Sequence, residues 1–311
     1  MISEAIARVD LSRLRSDLYY LASDPLPFRK VNYTIPGHAR CTLDETDDYI
    51  RATLKQIGLH VTTTPYQVQA LRCDETKPLH HWYSKPGPED PFYTANNLEV
   101  SVPGKRLPEQ IIQLISHKDS MSWIDSPGAH DNAVGTVANL EITRILASLP
   151  LERTVRILFC NEEHSPWTSR FAAQAAAERG DNIIAVLNVD SLDGKSDEDM
   201  AAGRLLHTVC YSTPEGQPLA RLFDRVNRQY GIGLDVQIAH KEHVNDDDGM
   251  FIKAGFSTTV MNLGSWPYSD SEYHLVGDHP DRVNLDNLMR STQLILAATL
   301  ELDAQGDACL G

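Results

Sequence analysis

The chain of 311 residues carries 43 acidic against 28 basic side chains, a formal net charge of −15, with 41% hydrophobic and 23% charged residues. That length suits one large α/β domain or two smaller ones, and the composition is ordinary for a globular protein. The negative charge speaks against nucleic acid or an anionic membrane as partners, because both would repel it.

Leu11, Leu14, Leu18 and Leu21 share one face of a helix expected over residues 10–22. The stretch Thr42-Leu-Asp-Glu45 reads as a capping box opening a helix over 43–57, which Gly58 ends. A β-rich stretch begins at His60, and residues 72–95, rich in Pro, Lys, His and Asp, predict a surface loop. Residues 97–104 alternate like a half-exposed strand. Short apolar runs then predict strands at 111–115, 155–159, 183–187, 205–209 and 258–261. Helices are expected between them at 133–148, 168–178 and 215–230, with an amphipathic closing helix at 284–302. This alternation implies an α/β fold: a central, mostly parallel twisted sheet with helices on both faces, read as a single domain over 1–311. Five cysteines without a CxxC pair speak against a sulfur-ligated zinc knuckle and fit reduced thiols. The first residues lack the basic-then-apolar pattern of a secretory leader, and no apolar run is long enough to span a bilayer. The expectation is cytoplasmic, with a leader removed beforehand as the alternative.

Metal-ligand side chains recur in short motifs: His117 in His-Lys-Asp-Ser, Asp131 in Gly-Ala-His-Asp-Asn-Ala-Val-Gly, Glu163 in Asn-Glu-Glu-His-Ser, Asp190 in Asn-Val-Asp, and His274 in Tyr-His. Two imidazoles and three carboxylates are the kit that two metal ions sharing one bridging carboxylate require. His117, Glu162 with Glu163, and Asp190 each follow an apolar strand run. In open α/β sheets the crevice beyond the strand C-termini is where ligands bind. Asp119, two residues past His117, points the same way along an extended segment and can support that ring. Of the adjacent pair Glu162 and Glu163, one can ligate while the other faces the water, and their proximity raises the pKa of at least one. The ligand mix suits zinc, with manganese or cobalt as substitutes.

In order and local context these motifs resemble the co-catalytic zinc aminopeptidases, the clan MH exopeptidases of bacterial leucyl aminopeptidase type, whose relatives include glutamate carboxypeptidase and glutaminyl cyclase. The resemblance is clear over about residues 96–290 and loose before them. It implies the zinc exopeptidase fold and two Zn²⁺ ions, one held by His117, Asp190 and bridging Asp131, the other by Glu163, His274 and Asp131. It implies Glu162 as the general base, Asp119 as the carboxylate orienting His117, and a cis peptide between Asp131 and Asn132. The function implied is an aminopeptidase hydrolysing N-terminal residues of short peptides or aminoacyl compounds through a metal-bridging hydroxide. A cyclase-like acyltransferase, a carboxypeptidase and a non-catalytic binding homologue are the alternatives. The chain departs from the pattern at His130, Val134 and Asn161, at His164-Ser-Pro-Trp167, where the effect is expected at the rim, and at Asn245-Asp-Asp-Asp-Gly-Met-Phe251. There Asp247 is expected near the substrate end, ahead of a helix at 249–254. A carboxypeptidase would need a cationic pocket, for which Arg153, Arg156, Arg170, Arg204 and Arg282 are candidates. Loops 72–95, 121–130 and 264–273, carrying Trp82, Tyr83, Trp123, Trp266 and Tyr268, are long enough to wall the site. His240 and His243 read as surface histidines at helical spacing.

Overall fold

The computed structural model describes residues 2–311. Helices α1 (Ile2–Ile6), α2 (Leu11–Ala22) and α3 (Thr42–Gln56) precede β1 (Thr62–Ala70) and a small hairpin of β2 (Arg72–Cys73) and β3 (Tyr83–Ser84). Next come β4 (Tyr93–Val102), β5 (Leu107–His117), α4 (Val134–Leu146), β6 (Arg153–Cys160), β7 (His164–Ser165), α5 (Ser169–Arg179) and β8 (Asn182–Val189). The chain closes through α6 (Asp197–Ala201), β9 (Leu206–Tyr211), α7 (Gly216–Tyr230), β10 (Asp235–His240), α8 (Asp246–Lys253), β11 (Thr259–Leu263) and α9 (Leu285–Gln305).

Nine strands form one sheet in the order β10-β9-β11-β8-β5-β6-β4-β1-β7. The centre is parallel, β5 pairing with both β6 and β8, and β8 with β11. Antiparallel pairs flank it: β4 on β6, β1 on β4, β7 on β1, and β11 on β9. The expected α/β architecture with a mixed sheet and a parallel centre is thus the observed one, four of its eight strand pairings being parallel. Its strands read as continuous apolar runs because both faces are covered. Ile112, Leu114, Ile157 and Leu187 pack in one core with α2, α4, α7 and α9. The alternate residues Ile115, Leu158 and Val186 pack in another with Ala173 of α5 and Phe251 of α8.

Several local expectations give way. Leu11 sits in the first turn of α2 and is exposed, whereas Leu14, Leu18 and Leu21 are fully buried. Thr42 forms no capping box; Cys41 occupies the cap position, and the Thr42 hydroxyl accepts from Lys30 N–H at 3.1 Å. Residues 72–95 are not one loop but contain the hairpin and the start of β4. Helix α8 begins at Asp246, not 249, and His240 ends a strand, although both it and His243 are exposed as expected.

Candidate metal centre and active site

Because β5, β6 and β8 run parallel, their C-terminal ends deliver side chains to one edge. His117 is the last residue of β5, Glu162 and Glu163 follow β6, and Asp190 follows β8. Asp131 enters from the turn before α4 and His274 from the loop after β11. The two oxygens of Asp131 divide: Oδ1 lies 3.0 Å from His117 Nε2, and Oδ2 lies 3.1 Å from His274 Nε2. Asp190 Oδ1 is 3.4 Å from His117 Nε2, and Glu163 Oε1 is 3.5 Å from His274 Nε2. All five expected side chains are therefore together, each nine-tenths or more buried. The Asp131–Asn132 peptide is cis. Four non-glycine residues with left-handed φ border this region, Ser191 (45°), Asp193 (69°), Asp246 (61°) and His274 (61°). Such backbone clusters where a site over-determines it.

Each imidazole has its Nδ1 committed, which aims Nε2 inward. His274 Nδ1 bonds the His80 carbonyl at 2.8 Å, contributed by the β2–β3 hairpin. Tyr273 stacks on the His274 ring at 3.8 Å, and Trp123 meets it edge-on at 5.1 Å. His117 Nδ1 faces Asp119 Oδ1 at 3.3 Å. Asp119 does more than orient that ring. Its Oδ1 accepts from Glu162 N–H at 3.0 Å, and its Oδ2 accepts from Glu163 N–H at 2.8 Å and His164 Nδ1 at 2.7 Å. His164 is fully buried and accepts from Val31 N–H at Nε2. The departure expected to affect the rim more than the metals is thus an interior brace for the Glu162-Glu163 segment. Asn161 has a comparable reason, receiving the buried Lys118 ammonium at 2.7 Å while Asp47 holds its other side at 2.9 Å.

His130, which stands where the resembled family has Asp or Asn, is fully buried among Asp270 (3.0 Å), Asp278 (3.1 Å) and Asp193 (3.5 Å). Lys195 pairs with Asp193 and Arg282 with Asp270, so three acids face three bases. Asp278 also accepts from the N–H groups of His130 and Asp131 at 2.9 and 3.1 Å. This compensated cluster joins the segments that carry Asp131, Asp190 and His274. Its own charges balance, which leaves no call for a cation there.

The five-residue centre lacks such balance. Burial pushes Glu163 up to about 7, against the pull of His274. Burial, then Asp247 and Asp246, push Glu162 well above the usual carboxylate range. Burial opposes charge on His117 and His274, yet their carboxylate neighbours outweigh it, holding His117 well above its ordinary value and His274 at about 10. Burial of the acids and the carboxylates close to the imidazoles thus raise the proton affinity of Glu162, Glu163 and both imidazoles. The donor set of imidazoles and carboxylates therefore fits divalent cation binding.

A small cavity of about 70 Å³ opens onto the centre, lined by Asp246, Met261, Leu263, Trp266, Tyr268 and Tyr273 among others. Asp247, expected at the substrate end, instead turns inward: it is fully buried, bonds Cys160 Sγ at 3.0 Å, and its N–H donates to Glu162 Oε2 at 3.2 Å. Asp246 is the acid that lines the cavity, fixed by Lys241 at 3.1 Å. The candidate arginines lie elsewhere. Arg153 bonds Gln110, Arg156 pairs with Asp181, Arg204 with Asp199 and Arg282 with Asp197, while Arg170 lines a different cavity. Among the described residues, no helix is long and apolar enough to cross a membrane.

Comparison with known proteins follows the same lines. A probable aminopeptidase of Saccharomyces cerevisiae is 29% identical over 217 residues, covering 65% of this chain and 56% of the relative. Leucine aminopeptidase 1 of Sclerotinia sclerotiorum is 23% identical over 219 residues, covering 67% and 56%. The chain thus spans little more than half the length of these relatives. In fold it resembles the LapA aminopeptidase of Legionella pneumophila, with a TM-score of 0.73 at 16% identity over 97% of this chain and 74% of that one. It equally resembles a glutaminyl cyclase of Bacteroides thetaiotaomicron, with a TM-score of 0.70 at 15% identity over 94% and 97%. Residues 97–299 match the model of Peptidase family M28, and with that span covering well over half its length the chain belongs to this family.

Proposed function

We propose that this protein is a dinuclear zinc aminopeptidase that removes N-terminal residues from short peptides or aminoacyl compounds. The observation that carries the reading is the division of Asp131, one oxygen toward His117 and the other toward His274. In this reading His117, Asp190 and Asp131 hold one ion, and Glu163, His274 and Asp131 the other. Two such ions would polarise the scissile carbonyl and acidify the attacking water. Glu162 is the proton carrier. Its Oε2 is fixed by Asp247 N–H, which leaves Oε1 to take the proton from water and return it to the leaving amine. The raised proton affinity of Glu162 suits that task. Asp119 is a positioning residue, since it fixes the backbone of the base and of the adjacent ligand together. Zinc and peptide substrates are in keeping with the names of the relatives, which include a probable zinc metalloprotease of Pyricularia oryzae.

The amino-terminal direction rests on charge. Asp246 lines the cavity as an acid suited to an α-ammonium, and no Lys or Arg is among the described residues lining it. A carboxypeptidase needs the opposite sign, and the arginines that could have supplied it are engaged elsewhere. The test is cleavage of a dipeptide against its N-acetylated and C-amidated forms, with metal content measured in parallel. About two divalent ions per chain, loss of activity on chelation and loss on N-acetylation are expected. Ring closure of N-terminal glutamine without peptide cleavage would move the protein to the cyclases.

A further inference from the structure

Of the five candidate ligands, His274 alone comes from the loop between β11 and α9, and it alone has a left-handed backbone, with φ at 61°. A residue with a Cβ adopts that conformation rarely and keeps it where its neighbours hold it. The peptide whose orientation sets this angle joins Tyr273 to His274. Its carbonyl oxygen accepts from His80 Nδ1 at 2.8 Å. The carbonyl of the same His80 accepts from His274 Nδ1, also at 2.8 Å. A carbonyl cannot donate, so each Nδ1 carries the proton of its ring. His80 thus grips His274 twice: its imidazole holds the backbone, and its carbonyl holds the ring.

The segment that presents His80 is tied within itself. Arg72 pairs with Ser84 and Cys73 with Tyr83 across β2 and β3. Asp74 N–H donates to the Trp82 carbonyl at 3.0 Å, and Trp82 Nε1 to the Lys77 carbonyl at 3.1 Å. Tyr83 packs on Trp123 at 4.7 Å and meets the His274 ring edge-on at 5.8 Å, which locates the base of the hairpin. Its tip is not packed down. Leu79, His80 and His81 form a single helical turn with no buried residue, and Leu79 is 46% exposed. Apolar burial therefore does not account for the tip lying against Tyr273, whereas the reciprocal His80 bonds do.

From this geometry, and resting on the dinuclear reading, we infer that His80 is a positioning residue for the ion assigned to Glu163, His274 and Asp131. Its imidazole keeps the Tyr273–His274 peptide, and with it the His274 ring, in the one orientation that directs Nε2 toward Asp131 Oδ2 at 3.1 Å and Glu163 Oε1 at 3.5 Å. The ion assigned to His117, Asp190 and Asp131 draws its imidazole from the end of β5 and makes no use of His80. The effect of His80 is thus confined to one of the two ions.

The experiment measures zinc bound per chain against free zinc set by a chelator buffer, for the wild type, His80→Ala and His80→Asn. Alanine removes the donor to the Tyr273 carbonyl, and asparagine places an amide N–H where the imidazole Nδ1–H stands. In His80→Ala one ion is expected to bind about 10- to 100-fold more weakly, the range for losing a group that orients a metal-ligating histidine, with the other ion unchanged. His80→Asn is expected to recover most of that affinity, which a residue that only fills space would not do. Both ions weakened alike, neither weakened, or asparagine as weak as alanine overturns the inference and leaves the dinuclear reading standing. A wild type that takes up fewer than two ions at saturating zinc overturns that reading, and the inference with it.

Discussion

Asp119→Asn exposes the logic of the centre because four donors converge on two carboxylate oxygens. Glu162 N–H and His117 Nδ1 meet Oδ1, while Glu163 N–H and His164 Nδ1 meet Oδ2. Asparagine keeps one oxygen and places an NH₂ against the other pair, so at least two donors lose their acceptor. Reversal of the His164 tautomer offers no escape, since its Nε2 already accepts from Val31 N–H at 3.3 Å. Hydrogen bonds to a charged group contribute about 1.5–3 kcal/mol each, and a buried donor left unpaired forfeits that amount. The expected loss is therefore about 3–6 kcal/mol, read as a lower midpoint in urea unfolding of the metal-free protein. Burial opposes ionisation of Asp119, but His117 and His164 hold it well below the usual carboxylate range. A carboxylate depressed in this way contributes stability above its unfolded pKa and loses it only in strong acid. The difference between wild type and variant should thus be flat from about pH 6 to 8. A loss under about 1 kcal/mol would refute the argument, because it would mean these four bonds are not carried by the carboxylate.

Glu162→Gln should retain both ions by elemental analysis and lose turnover by at least about 10²–10⁴-fold, whereas Glu163→Gln should release one ion. Equal metal loss in the two would refute the division of roles. Burial holds His207 down to about 4 from an ordinary 6.5, so the unfolded chain binds a proton before the folded one does. Stability should be unaffected above pH 6.5 and fall by about 3 kcal/mol on acidification to pH 4, a component that unfolding curves of His207→Gln should lack. At Gly135 an added Cβ would stand 2.2 Å from the Val189 carbonyl oxygen and 2.3 Å from Asn132 Oδ1. Gly135→Ala should accordingly cost about 1–3 kcal/mol in thermal or urea unfolding, and an unchanged midpoint would show that α4 can shift away from β8.

What could be read in the sequence was whatever has a short period or a short motif. The strands at 111–115, 155–159 and 183–187 were legible because burial on both faces makes them continuously apolar, and their C-terminal ends carry the ligands. The five candidate ligands are legible as a set because each lies in its own motif, and the structure brings them together. Asp119 was found by its spacing from His117, but its hold on the Glu162 and Glu163 amides depends on how β5 and β6 end side by side. The bracing role of His164 leaves no sign in the sequence, because its partner Val31 is distant and offers only a backbone N–H. The same holds for the His80 carbonyl on His274, since a carbonyl has no side-chain signature. The inward turn of Asp247 has no sign in the sequence, because it depends on the left-handed backbone at Asp246.

The His80 contact has a consequence for how such a protein can change. The stretch that matches the family begins at residue 97, yet the ring of His274 is held by a carbonyl at residue 80 and the brace His164 by an amide at residue 31. Arg29, fully buried, ties the Pro127 and Gly128 carbonyls ahead of Asp131 at 2.6 and 2.7 Å. The candidate ligands and their enclosure are therefore encoded in different stretches of chain, joined through backbone groups of His80 and Val31 and through the Arg29 side chain. Beyond anchors such as Arg29 and Asp47, side chains in the first 95 residues can vary without altering the residues gathered at the strand ends. Such a layout lets new substrate preferences arise by drift in those side chains, while the chemistry at the strand ends is inherited unchanged.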